Sequence, residues 1–284
     1  MLSPKRLLFF RFSLLLLLLP TPLMGWAQSR AEALLQFEGV QQRYQASYGP
    51  GAVSRGAREL LDPDDQAIAD KALKALDTAA ARAFNTNASV AAIQQEVASA
   101  GNGGAAPGPQ LLAAVAHFVK LRTDYAAMSD AGKAEFFNRE RAKPVDPARA
   151  ELLERMAVAD VREIDFSSQL LMSAVVKQLA RGNGGQFSSL PDRTLDMALD
   201  TLWSRGVTST RPRNLMLVAR EFERQVTQAQ LAALPDADVA ALLAWRNDPQ
   251  AAAEREVLVG TYRAEVKGSG GVALRTLIRA WPRS

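Results

Sequence analysis

The chain of 284 residues has no cysteine and a single histidine. Without a thiol it forms no disulfide, offers no thiolate nucleophile and takes no lipid at a cysteine. A zinc site needs three or four nitrogen, sulfur or carboxylate ligands, so His117 alone builds no conventional one. A serine hydrolase would have to use His117, and no Gly-x-Ser-x-Gly elbow accompanies it. The glycine-rich segments lack the Lys-Ser/Thr and the preceding strand of a phosphate-cradling loop. No metal and no cofactor is expected. Aromatic residues make up only 7% of the chain, although 48% is apolar. Much of that apolar content is alanine, which favours helices but fills little volume. Many closely packed helices are therefore expected, rather than a thick aromatic core.

A basic partner preference is also missing. The chain has 34 Lys and Arg against 30 Asp and Glu. Lys5, Arg6 and Arg11 lie in the first 27 residues, which hold no acid, so the remainder carries 31 against 30. A nucleic-acid binder would need a clustered basic face, so no nucleic acid is expected.

Those first 27 residues have the three parts of an export leader. Lys5, Arg6 and Arg11 form a basic start, Phe12 to Leu19 an apolar core, and Gly25-Trp26-Ala27 a cleavage triplet with small outer residues. The apolar run is shorter than the roughly 20 residues that span a bilayer. Cleavage before Gln28, no stable membrane anchor afterwards, and a periplasmic or secreted bacterial location are expected.

The rest of the chain is punctuated as helices. Asp62-Pro63-Asp64-Asp65, Asp146-Pro147 and Asp248-Pro249 read as starts, with Asp as cap and Pro at the first helical position. Thr227-Gln228-Ala229-Gln230 has the capping-box pattern before Leu231 and Leu234. Gly101-Asn102-Gly103-Gly104, Gly182-Asn183-Gly184-Gly185 and Gly268-Ser269-Gly270-Gly271 read as stops. Their regular recurrence invites a repeat reading, although the segments between them differ in length and in side chains. Strand signals are weak; Glu256 to Val259 is a short run inside helical periodicity. The expected fold is all-α, a multi-helix bundle or helical array of antiparallel helices. Residues 28–100 form an N-terminal helical region, 101–109 a Gly/Pro-rich linker or surface loop, and 110–284 a C-terminal helical region.

Candidate functional side chains are few. Asp192, Asp196 and Asp200 share one helical face at spacings of four and repel one another. They could face a basic partner or a hard cation, or simply a solvated face neutralised by Arg193 and Arg205. Asp160, Glu163 and Asp165 adjoin Arg155 and Arg162 and read as ordinary surface pairs. His117 lies in an apolar helical run and reads as a half-buried helix residue, or as a general base. Trp245 reads as core; Trp281, four residues from the end, is the better surface candidate. Tyr125, Phe136 and Phe137 are expected to pack the middle region.

Val226-Thr227-Gln228-Ala229-Gln230-Leu231, followed by Leu242-Leu243-Ala244-Trp245-Arg246-Asn247-Asp248-Pro249, resembles a family of exported bacterial helical proteins known only as a domain of unknown function. That family reads Phe/Tyr-Thr-x-x-Glu-Leu, an apolar turn, an aromatic pair and Ser-Pro-x-Gly. Here Gln230, Asp248 and Ala251 replace its Glu, Ser and Gly, and extra residues separate the halves. The resemblance implies a helical bundle in the envelope and no activity.

The leading expectation is a non-catalytic interaction protein of the bacterial envelope, with a chaperone-like, assembly or inhibitory role and another envelope protein as partner. The alternatives are a glycan-cleaving enzyme using carboxylates, which requires a deep cleft holding a buried acid, and a small-ligand or lipid carrier, which requires an apolar cavity. N-terminal sequencing of the exported protein should begin at Gln28; recovery of intact Met1 would refute the cleavage.

Overall fold

The structure, a computed structural model, describes residues 29–101, 105–144, 146–205 and 210–282. The leader, its cleavage point and residues 102–104 of the first glycine mark lie outside the described residues. Fifteen helices, and no strand, occur among the described residues. They are α1 (Arg30–Glu38), α2 (Val40–Tyr48), α3 (Ala52–Glu59), α4 (Pro63–Ile68), α5 (Asp70–Ala83), α6 (Thr86–Ala100) and α7 (Pro109–Ala127), then α8 (Asp130–Arg141), α9 (Pro147–Arg155) and α10 (Val158–Ala180). Next come α11 (Gly184–Ser188), α12 (Asp192–Arg205), α13 (Thr210–Ala232), α14 (Asp236–Arg246) and α15 (Ala251–Ala280). The all-α class is therefore the observed one.

The helix starts follow local chemistry. Ser29 and Glu32 close a capping box at α1, and Asp146 accepts from the Ala148 amide at 2.9 Å to open α9. Pro63 stands at the first helical position of α4, but the Asp62 carboxylate accepts from Lys177 at 3.2 Å instead of capping. Asp248 accepts from the Gln250 amide at 2.9 Å, and α15 begins two residues beyond Pro249, at Ala251.

Two boundary expectations fail. The Thr227–Gln230 capping pattern lies inside α13, where Thr227, Ala229 and Gln230 are buried and the helix runs on. Gly268-Ser269-Gly270-Gly271 does not stop a helix; α15 continues through it for a total of 30 residues. Each interior glycine disfavours helix by about 1 kcal/mol relative to alanine. Packing offsets this. A Cβ on Gly270 would sit 2.8 Å from the Trp203 ring and 3.3 Å from the Met172 methyl, so glycine permits a close approach. Beyond it, Ala273, Leu274, Leu277 and Ile278 are buried and hold the last turns. The run Glu256 to Val259 is likewise helical.

Helices α10 and α15 are the axis of the molecule. Asp160 meets Arg255, Asp165 meets Tyr262, and Met172 meets Gly270, so the two run parallel and side by side. Helices α5 and α6 pack along α15, and α13 packs along α10 in the opposite direction. One continuous apolar core joins Leu34, Phe37, Leu76 and Ile93 to Leu152, Met172, Leu242 and Leu274. It therefore runs across residues 101–109. Phe37 and Trp245 meet edge to face at 5.9 Å, and Trp245 is core as its context predicts. Tyr125 and Phe136 pack at 5.3 Å.

Arginine side chains close helix ends from a distance. Arg122 on α7 donates to the Gln36 and Phe37 carbonyls at 2.7 and 2.8 Å, finishing α1. The α1–α2 bend beside it uses Gly39 at φ +70°, a left-handed conformation, and a Cβ there would strike the Arg122 guanidinium at 2.6 Å. Burial pushes the Arg122 pKa down to about 10. Arg149 on α9 donates to the Leu231 and Leu234 carbonyls at 2.9 and 2.7 Å, finishing α13. Arg279 on α15 donates to the Ser188 and Leu190 carbonyls at 2.7 and 2.6 Å, after α11. At the α9–α10 corner, Arg246 donates to the Arg155 carbonyl at 3.2 Å and Arg255 to the Met156 carbonyl at 3.1 Å. The Ala157 amide donates to buried Glu38 at 2.9 Å.

The acids near this axis depart from the surface pairs expected. Asp165 is buried and accepts from the Tyr262 hydroxyl at 2.8 Å. Asp160 and Glu163 pair with Arg220 of α13 at 3.0 and 3.1 Å, and Asp160 also with Arg255, while Arg155 pairs with Glu151. The reason is packing: α10 is covered on more sides than its own sequence reveals. Burial raises the pKa of Glu38 above 4.5, opposed by Arg246 and the Ala157 amide. Burial also raises Asp165 above 3.8, opposed by Arg162 and Tyr262.

An acid whose pKa is raised by folding stabilises the fold below its unfolded pKa, and that contribution is lost as pH rises through its folded value. The melting temperature should accordingly rise as pH falls from neutral into the mildly acid range. Glu38→Gln should flatten that rise. A wild-type melting temperature that falls over the same interval would contradict the assignment.

Candidate functional site

Helix α12 is docked on α15 by a ladder of ion pairs. Asp192 meets Arg279 at 2.5 Å, Asp196 meets Arg275 at 2.5 Å, and Asp200 meets Lys267 at 2.9 Å. The two helices run antiparallel, so aspartates at spacings of four meet cations at spacings of four and eight along α15. This is where the acidic stripe finds its basic partner: inside the chain, on a helix distant in sequence. Arg193 is not the neutralising group expected, and the Arg205 side chain lies outside the described residues. Leu195 and Leu199 are buried beneath the ladder, and the Trp203 ring lies on Gly270.

Trp281 does not serve as a free surface residue. It is half-buried, its indole covers Gly184 where any Cβ would collide, and Lys71 lies 5.4 Å from the ring centroid. It closes the end of α15 over α11. His117 departs in the other direction: it is exposed on α7, with Nδ1 hydrogen-bonded to Asp238 of α14 at 2.8 Å. The apolar run around it buries Ala114, Val115 and Phe118 and turns His117 outward.

Two of the surface recesses are lined by charged side chains. One, of about 500 Å³, lies between α3 and α5, with Ser54, Arg58, Asp70, Lys74 and Asp77 along it. It is broad and open, and its charges are taken up in pairs such as Arg58 with Asp70. The other, of about 220 Å³, lies along the α12–α15 ladder, lined by Asp196, Asp200, Trp203, Lys267 and Arg275. Glu38 and Asp165, the buried acids with raised pKa, border neither recess. No group of three or more His, Asp or Glu side chains among the described residues is placed to hold a metal.

The outer sides of α12 and α13 are different in kind. Val218 is 65% exposed, Phe222 62%, Met197 54%, Leu202 and Leu217 49% each, and Leu215 41%. These are six of the eight large apolar side chains left exposed among the described residues. Isolated exposed apolar residues are ordinary, but here six of them fall on two consecutive helices. Leu215, Val218 and Phe222 form one stripe at spacings of three and four. Four residues, 206–209, separate α12 from α13.

The cause is local. In its second half α13 buries Thr227, Ala229, Gln230 and Leu231. In its first half it meets α10 along one side only, through Met216 at Ser167 and Arg220 at Asp160 and Glu163. Leu215-Met216-Leu217-Val218 is apolar around more of the helix than α10 can cover. Sequence reading passed over this run, because consecutive apolar residues in a helix look like core. The usable signal was that they point in every direction at once.

Comparisons with protein-family models, with curated proteins and with solved structures returned no match.

Asp192→Asn, Asp196→Asn and Asp200→Asn combined should lower stability by about 1–2 kcal/mol, an effect that disappears in high salt, because the pairs are solvent-exposed. Trp203→Ala should lower it by about 2 kcal/mol irrespective of salt. Salt-insensitive loss in the triple variant, measured by denaturant unfolding, would show that the ladder is not what holds α12.

Proposed function

We propose that this chain is an exported, non-catalytic interaction protein of the bacterial cell envelope, making its contacts through the exposed apolar face of α12 and α13. The observation that carries the reading is that six of the eight large apolar side chains left exposed among the described residues lie on these two helices, which are consecutive in the chain. Export is supported by the basic start, apolar core and small-residue triplet of the first 27 residues. No helix among the described residues is long and apolar enough to cross a membrane. The weak resemblance to exported helical proteins points the same way.

The role within this class is that of a binder: a chaperone-like holder, an assembly factor or an inhibitor. All three need a fixed apolar surface and none needs a reacting group. The rigid frame behind α13 suits it, since Arg220 and Arg224 tie that helix to Asp160, Glu163 and Glu154.

The test is site-specific photocrosslinking in intact cells. A photoreactive residue at position 218 should yield discrete adducts with an envelope component, whereas one at position 74, in the α3–α5 recess, should yield none of them. Absence of adducts at 218, or the same adducts from both positions, would sink the reading.

A further inference from the structure

We propose that the recess between α12 and α15 takes an organic cation, a primary ammonium or guanidinium group on an alkyl stem. The site is separate from the exposed apolar side chains of α12 and α13 and does not rest on them.

Register is the first observation. Asp192 meets Arg279 and Asp196 meets Arg275, so each step of four up α12 is a step of four down α15. The next step sets Asp200 opposite position 271, which is glycine. Asp200 reaches one turn further, to Lys267 at 2.9 Å. One place in the row of cations on α15 is therefore left open, and the recess of about 220 Å³ lies there. Gly271 has no packing reason to be glycine. A Cβ on it would meet nothing within 4 Å, in contrast to Gly270 under the Trp203 ring. Glycine weakens a helix interior relative to alanine or lysine, and here no close contact compensates.

Charge gives the sign of the occupant. A group seated over Gly271 faces Asp196 and Asp200 across the interface, while Lys267 and Arg275 stand one turn away on either side along α15. Attraction to the facing carboxylates exceeds repulsion from the more distant cations, because Coulomb energy falls with separation. An anion there would meet the reverse. Both carboxylates keep acceptor capacity, since an ionised carboxylate has about four lone-pair sites.

Shape gives its class. Leu199 is buried at the recess and the Trp203 ring lines it, so an alkyl stem is matched. An aromatic face also attracts a cation. A bare divalent cation is not matched, because calcium takes about six to eight oxygens. No group of three or more His, Asp or Glu side chains among the described residues is placed to supply them. Pockets that enclose a drug-sized ligand measure about 300–1,000 Å³. This recess is smaller and takes the charged end of a molecule, from a free alkylamine or from a Lys or Arg side chain.

The experiment uses the isotope-labelled chain from Gln28, which contains every described residue, and butylammonium chloride as probe. The Trp203 indole N–H is buried without an acceptor among the described residues, so its resonance reports on the recess. Trp203→Phe identifies it among the three indoles of that chain. A saturable shift of this resonance and of the Gly271 amide is expected with butylammonium and with butylguanidinium. Sodium chloride and sodium butyrate at equal ionic strength should give none, which separates binding from screening of the ladder. Gly271→Lys supplies the fourth cation of the row and should abolish the shift. It should melt no lower than the parent, since lysine is the better helix former, so the loss is not unfolding. Asp200→Asn should weaken binding about threefold. A lysine amide blocked at its α-amine is the second probe. Tighter binding than butylammonium assigns a protein side chain and weaker binding a free amine; either supports the site. No saturable shift with butylammonium, an equal shift with sodium butyrate, or unchanged binding by Gly271→Lys overturns the proposal.

Discussion

The corner between α9 and α10 is the constraint on which the packing depends. Where one helix ends and the next begins within three residues, the Arg155 and Met156 carbonyls and the Ala157 amide are left without helical partners. Each is met by a side chain from elsewhere: Arg246 of α14, Arg255 of α15 and Glu38 of α1. A buried backbone group left unpaired is unfavourable by about 1–3 kcal/mol. The corner therefore fixes where three other helices stand. Arg246 is itself buried, 3.7 Å from Glu254, which in turn binds Arg30. Removing one member strands another, which makes such a cluster sensitive to single substitutions even where its net contribution is small.

The same device recurs at the ends of α1, α11 and α13, through Arg122, Arg279 and Arg149. A guanidinium fork reaches two carbonyls at once on a long side chain. It can therefore cap a helix from another helix, as glycine and local side chains do from within. In a chain without disulfides and with few large aromatics, these long-range caps position elements that alanine-rich interfaces specify weakly. Small interfacial side chains allow close approach but offer little shape to define register. Tyr262 on Asp165 adds a polar pin at the centre of the α10–α15 pair.

What was legible in the sequence was local. Asp146 caps α9 through its own neighbour, Ala148, and Pro63 opens α4; both depend on contacts within a few residues. The class of fold followed from the same short-range signals. Gly268 to Gly271 misled because the compensating contact comes from Trp203, far away in the chain. Thr227 misled because burial against other helices overrode its preference for a cap. At the site, the stripe of Asp192, Asp196 and Asp200 was visible, but its partners on α15 were not, since periodicity within one helix says nothing of which helix faces it. Trp281 looked free because it is near the end of the chain, yet Gly184 receives it.

The ladder and the apolar face are two sides of one arrangement. All three aspartates of α12 turn toward α15, so the outward side of that helix is left with Arg193, Met197 and Leu202 and no acid. On α13, pairing with Arg43 does the same to Glu223, whereas Glu221 stays exposed beside Phe222. Intramolecular ion pairing has thus sorted the charges of a nearly neutral protein. It ties the acids of α12 to cations of a neighbouring helix and leaves six large apolar side chains exposed on α12 and α13. A nearly balanced total of acids and bases is no guide to a surface when the pairing is this unequal. Such exposure would be a liability on a deformable frame, since exposed apolar side chains gain by collapsing onto one another or onto a second chain. Here Arg220 and Arg224 hold α13 to α10 and α9, and the ladder with Trp203 holds α12 to α15, so the side chains stay presented. The charges that read in the sequence as a possible interaction site serve to dock α12 on α15.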